Sequence, residues 1–109
     1  MTAAVQALLA AVERIPGVRL EIDDARTSAA VRVGARVVAR IDLWHGRVVV
    51  NAPADVIPTL QRVFPSSSRA ATGIAFDLDH AQARSEALPA IRRRVDVERV
   101  VAQYREASP

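Results

Sequence analysis

The chain has 109 residues, half of them apolar and a quarter charged, with a formal net charge of +3. That is the composition of one globular domain with enough apolar mass to build its own core. It holds no cysteine, which excludes a disulfide framework, a thiolate metal site and thiol redox chemistry, and no apolar run approaches a membrane span.

Thr2 is placed to cap a first helix, because Val5, Leu8, Leu9, Val12 and Ile15 recur at helical spacing behind it. Pro16–Gly17 ends that helix. Val18, Leu20 and Ile22 then alternate with Arg19, Glu21 and Asp23, the pattern of a half-buried strand. A polar turn from Asp23 to Ser28 leads to a short strand through Val31 and Val33, and Gly34–Ala35 turns the chain again. In the next strand Val37, Ala39, Ile41 and Leu43 are expected on one face, with Arg36, Val38, Arg40 and Asp42 on the other. His45–Gly46 makes the next reversal and Arg47 to Val50 the fourth strand. Turns this short require neighbouring strands to pair, giving an antiparallel meander.

Asn51–Ala52–Pro53 breaks the meander, and Val56, Ile57, Leu60, Val63 and Phe64 form a second helical stripe in which Pro58 falls near the first turn. Pro65 and the serines Ser66 to Ser68 read as a loop. Ile74, Phe76 and Leu78 alternate with Ala75, Asp77 and Asp79 as a fifth strand. Beyond it two stripes differ in phase: Leu88, Ile91 and Val95, then Val97, Val100, Val101 and Tyr104. Asp96 between them is a good cap, so two helices with a bend are expected.

The fold implied is a single α+β domain over residues 1–109. It has an antiparallel sheet of about five strands with helices packed on one face, in the order α-β-β-β-β-α-β-α-α.

No motif declares a chemistry. Asp77 and Asp79 in "FDLDHA" resemble the nucleophile motif of haloacid-dehalogenase-type phosphatases. That chemistry needs a lysine for the phosphate, which the chain lacks, and Ala81 stands where that family carries threonine or valine. Solvent-facing carboxylates on an edge strand are the expected reading. His45 and His80 sit at unrelated strand ends and read as turn residues, with no metal and no cofactor expected. Trp44, the only tryptophan, lies at a hairpin tip. It is expected to plug the edge of the core; as an exposed anchor it would make Arg40, Asp42, Trp44 and His45 a binding patch.

All fifteen cations are arginine, which makes the pI of 10.9 a poor guide to nucleic-acid binding. With nothing titrating between tyrosine and arginine, a small excess of charge raises the pI steeply, whereas attraction depends on charge and its clustering. The triplet Arg92–Arg93–Arg94 fans widely around a helix. With Ile91 and Val95 buried, Arg93 and Arg94 flank the buried stripe and Arg92 points outward, the expectation for a solvated face.

The residues "IPGV" (15–18), "VRVGARVVARID" (31–42) and "NAPADVIPTLQRVFP" (51–65) resemble the YjbR-like proteins. The related small luciferase-domain family of uncharacterised proteins is similar to about the same degree, with "TGIAF" (72–76) in place of its G-W-V-T-F strand. The resemblance implies a CyaY-like α+β fold. For the YjbR-like proteins it also implies DNA binding, a label that rests on that fold alone. The chain departs from the patterns at Arg36 (usually lysine), at Gly73–Ile74 (where a tryptophan is common) and at Arg40-x-Asp42 (His-x-His in the luciferase-domain hairpin). No catalytic residue carries over.

The expectation is therefore a cytoplasmic, non-catalytic binding or interaction domain, not an enzyme. It would bind a protein partner or a second copy of itself through Arg40, Asp42, Trp44 and His45, with no membrane contact. Nucleic-acid binding through Arg92, Arg93 and Arg94 is the alternative.

Overall fold

The structure, a computed structural model, describes residues 1–107, with side chains through Arg105, so the end of the expected 1–109 domain lies outside the described residues. Helix α1 (Ala3–Glu13) precedes strands β1 (Val18–Ile22), β2 (Ser28–Val33), β3 (Arg36–Asp42) and β4 (Arg47–Asn51). A 3-10 turn (Ala54–Val56) leads into α2 (Ile57–Val63), followed by β5 (Ser68–Ala70), β6 (Gly73–Asp77) and α3 (Ala81–Ala107). The strands form one antiparallel sheet in the order β1-β2-β3-β4-β6-β5.

The α+β class and the meander β1–β4 agree with the sequence reading, and the sheet has six strands rather than about five. The added strand, β5, begins at Ser68, the last serine of the stretch expected to be a loop, and continues through Arg69 and Ala70. It pairs with β6 and takes the edge, so β6 runs between β4 and β5 instead of forming an edge itself. A three-residue edge strand offers little template for further pairing. The preceding loop is tied to α3, since Ser66 donates from its N–H and its Oγ to Glu86 Oε1 at 3.0 and 2.7 Å. Burial works to raise the pKa of Glu86, but the bonds from the Ser66 hydroxyl, Gln82 and the Ser66 N–H outweigh it, and the net direction is downward.

The helices cover the sheet face that carries Ala29, Val31, Ala39, Ile41, Val48, Val50, Ile74 and Phe76. Into that core α1 inserts Val5, Leu8 and Val12, with Thr2 Oγ1 accepting from the Val5 N–H at 3.2 Å as its cap. With so few aromatics, small aliphatic side chains do most of the packing. Phe64 packs edge-on to Phe76, with ring centroids 6.1 Å apart.

Strict alternation fails in β3. Val31 pairs with Ala39 and Arg32 with Val37, which leaves Val38 as an extra residue. This bulge puts Val38 in the core beside Ala39 and leaves Val37 half-buried, correcting the expected faces. Asn51 braces it by donating from Nδ2 to the Val37 carbonyl at 2.9 Å.

The C-terminal segment is one helix of 27 residues, not two. Asp96 is a mid-helix surface residue paired with Arg99 rather than a cap. The stripes change phase because α3 meets different neighbours along its length. Ala83, Ala87, Ala90, Ile91 and Val95 are buried in the core, whereas Val97, Val100 and Tyr104 are exposed. Pro89 lies inside the helix. Among the described residues, no helix is long and apolar enough to cross a membrane.

Candidate functional site

Among the described residues, two of the concave regions lie on opposite faces of the sheet. The first collects the four residues expected as a binding patch: Arg40, Asp42, Trp44 and His45 border an open hollow with Arg47 and Val49. Trp44 is 71% exposed, so it does not plug the core. The reason lies in Asp42. Its Oδ1 accepts the N–H groups of Trp44 and His45, both at 3.0 Å, and its Oδ2 lies 2.8 Å from His45 Nδ1. The His45 N–H chiefly holds the Asp42 pKa below its usual range, against the opposing effect of burial, with the His45 ring and Trp44 N–H adding to it. Gly46 closes the turn at φ +65°, and its N–H reaches the Asp42 carbonyl at 3.0 Å. A turn fixed this way holds the indole out from the barrier of core side chains. Asp42 is thus spent on the turn, while Arg40 and Arg47 have no ion pair among the described residues.

The arginine triplet does not act as a unit. Arg92 is exposed and Arg93 stands at the edge of a second concavity. Arg94 is drawn inward, its Nε donating to the Asn51 carbonyl at 3.0 Å and its Nη1 to Glu98 Oε2 at 3.1 Å. Ile91 and Val95 are buried as the spacing requires.

This second concavity is a groove of about 390 Å³ between α3 and the 3-10 turn with α2. Its floor is the β4–β6 pair Val50 and Ile74, Val56, Leu60 and Phe64 form one wall, and Ala90, Val97 and Val101 the other. Four arginines line it, Arg36, Arg93, Arg94 and Arg105, against one carboxylate, Glu98. That is an excess of three positive charges around apolar walls.

Glu98 is a lining residue that the sequence reading did not single out. It is 5% exposed and the one charged residue in the buried set among those described. Its Oε2 takes the Arg94 bond, while its Oε1 lies 3.4 Å from Arg36 Nε and 3.9 Å from Arg105 Nη1. The local signal was Arg94–Glu98 at i, i+4, three residues on from buried Val95. Arg36, more than sixty positions away, carries no such signal.

His45 and His80 each pair with an aspartate three residues earlier, His80 Nε2 lying 3.9 Å from Asp77. Asp77 Oδ1 accepts the Asp79 N–H at 3.0 Å, closing the turn before α3. Among the described residues no group of three or more histidines and carboxylates is placed to hold a metal ion. Compared with models of known families, with curated proteins and with solved structures, the chain matches none.

Proposed function

We propose that this chain is a cytoplasmic, non-catalytic binding domain, related to the YjbR-like or small luciferase-domain proteins, whose ligand occupies the groove between α2 and α3. One observation carries the reading: apolar walls enclose a volume in the range of small-molecule sites, beneath arginines that outnumber the acids four to one. Among the described lining residues there is no serine, threonine, histidine or tyrosine to act as nucleophile or proton shuttle, and Glu98 is held by arginines. Such a lining supports binding rather than turnover.

The test uses Nile red, a neutral dye that brightens in apolar surroundings. It should bind one molecule per chain, and Val97→Trp, which fills the groove from a half-exposed wall position, should abolish the signal without lowering the melting temperature. Brightening that survives Val97→Trp places the dye elsewhere and sinks the assignment.

A second reading is supported by the exposed indole: self-association or protein contact through Trp44, Arg40 and Arg47. Tryptophan and arginine dominate interface hot spots. Here Trp44→Ala keeps the fold and converts a concentration-dependent oligomer to monomer in sedimentation velocity. A wild-type chain that stays monomeric and captures no partner removes this reading. Nucleic-acid binding through Arg92, Arg93 and Arg94 is disfavoured by the inward turn of Arg94. A low-salt anisotropy titration with duplex and single strands is expected to show none at micromolar protein, and salt-sensitive binding reverses that conclusion.

A further inference from the structure

Resting on the groove as the binding site, we infer that its ligand is a single-headed anionic amphiphile: a short aliphatic chain bearing one carboxylate or phosphate. Glu98 is the internal counter-ion with which that head competes.

A buried carboxylate needs a partner, and the Arg94 bond at 3.1 Å already supplies one. Arg36 and Arg105 stand farther off, at 3.4 and 3.9 Å, and both are more than half exposed. A guanidinium has five donors, so Glu98 leaves most of theirs unused. Arg93 adds a fourth charge at the lip and has no ion pair among the described residues. Three guanidinium groups within 4 Å of one carboxylate, with Arg93 at the lip, leave the groove net positive, and a further anion would offset that excess.

The walls decide what that anion is attached to. Leu60, Val56, Val97 and Val101 offer aliphatic surface and no hydrogen-bonding group. The one aromatic wall residue, Phe64, is buried with its ring engaged by Phe76, which leaves no free platform for a nucleobase. At about 390 Å³ the groove suits a medium-length chain rather than a two-chain lipid. A cationic head is repelled, and a neutral one wastes the arginines.

Titration calorimetry at low ionic strength with octanoate, octyl phosphate, octanol and octylamine tests this. Octanoate or octyl phosphate should bind one per chain at least about tenfold tighter than octanol, with octylamine weakest. The tighter of the two anions identifies the head group. Shortening octanoate to hexanoate should cost about tenfold. Glu98→Gln should tighten the anion by about tenfold and leave octanol unchanged, because it removes the competitor for Arg36 and Arg105. If Glu98→Gln does not fold, Arg36→Gln with Arg105→Gln decides: the anion must weaken while octanol holds.

Equal affinity for octanol and both anions overturns the anionic head but leaves the groove standing, as Nile red binding then shows. Weaker anion binding in folded Glu98→Gln, or no effect of the double arginine variant, overturns it too. Failure of every amphiphile together with Nile red removes the groove itself.

Discussion

Gly73 opens β6 directly against the end of β4, and a Cβ there would fall on the Val50 carbonyl oxygen, with the Ala52 nitrogen next to it. Both obstacles are backbone, so they cannot swing aside. Gly73→Ala must push β6 from β4, beneath the groove floor of Val50 and Ile74, and should cost about 3 kcal/mol or more. Urea denaturation reads this as a lower midpoint at unchanged slope; an unchanged midpoint refutes the packing argument. Arg26 is the opposite case. In the β1–β2 turn it holds φ 56°, a left-handed conformation unfavourable for a residue with a Cβ. Arg26→Gly relieves that strain but loosens the unfolded chain, so a net gain of about 0.5 kcal/mol is expected in the same assay. A loss of stability on that substitution counts against strain at Arg26.

At the scale of elements, α3 places Arg93, Arg94, Val97, Glu98 and Val101 along the groove, so its continuity matters to the site. Pro89 removes the helical bond to the Ser85 carbonyl eight residues into the rod. Pro89→Ala restores that bond and should stabilise the chain by about 1–2 kcal/mol, discounted from the cost of an interior proline for the adjustment already made around it. A thermal melt followed by circular dichroism measures the gain, and no rise in midpoint counts against a cost of the missing bond at Pro89. The same helix shows where sequence pattern is ambiguous. A change of stripe phase reads equally as a break or as one continuous helix changing partners, and only the neighbours distinguish them.

For the whole molecule, four carboxylates share a direction. The Arg32 bond holds Glu21 low, the Thr27 hydroxyl Asp23 and the His45 N–H Asp42, while Ser66 and Gln82 overcome burial at Glu86. Each folded-state pKa lies below its unfolded value, so the unfolded chain takes up more protons as pH falls. Their stabilisation is complete above the carboxylate range and is lost as pH drops through it. The melting temperature should be level from about pH 7 to 5.5 and fall below about pH 4.5, by a modest amount because these groups are solvent-accessible. A melting temperature that rises on acidification contradicts the sign. The lone tryptophan reports on the outer sheet face. Trp44 emission should be red-shifted and quenched by acrylamide nearly as readily as free indole in dilute protein. Protection that grows with protein concentration marks self-association at that face, while a blue-shifted, shielded emission in the monomer contradicts the exposed placement.

What was legible in the sequence was local. Thr2, the spacing of Val5, Leu8 and Val12, and Pro16–Gly17 specify α1 because capping and helical period act within a few residues. Alternation and short turns specify the meander for the same reason. The burial of Ile91 and Val95, and with it the fanning of Arg92 to Arg94, followed from period alone. The tertiary structure decided the rest. The pairing of Ser68–Ala70 and the bulge at Val38 depend on neighbours that no local pattern names, whereas the exposure of Trp44 rests on Asp42 two residues before it, a local device that the alternation pattern does not reveal. The groove is the clearest instance, for Arg94 finds the Asn51 carbonyl across 43 positions and Glu98 gathers Arg36 and Arg105 from two different elements. Residue type and spacing set each side chain's charge and local face. Which charges share one apolar hollow depends on how α3 lies across the sheet, a matter of packing between distant segments.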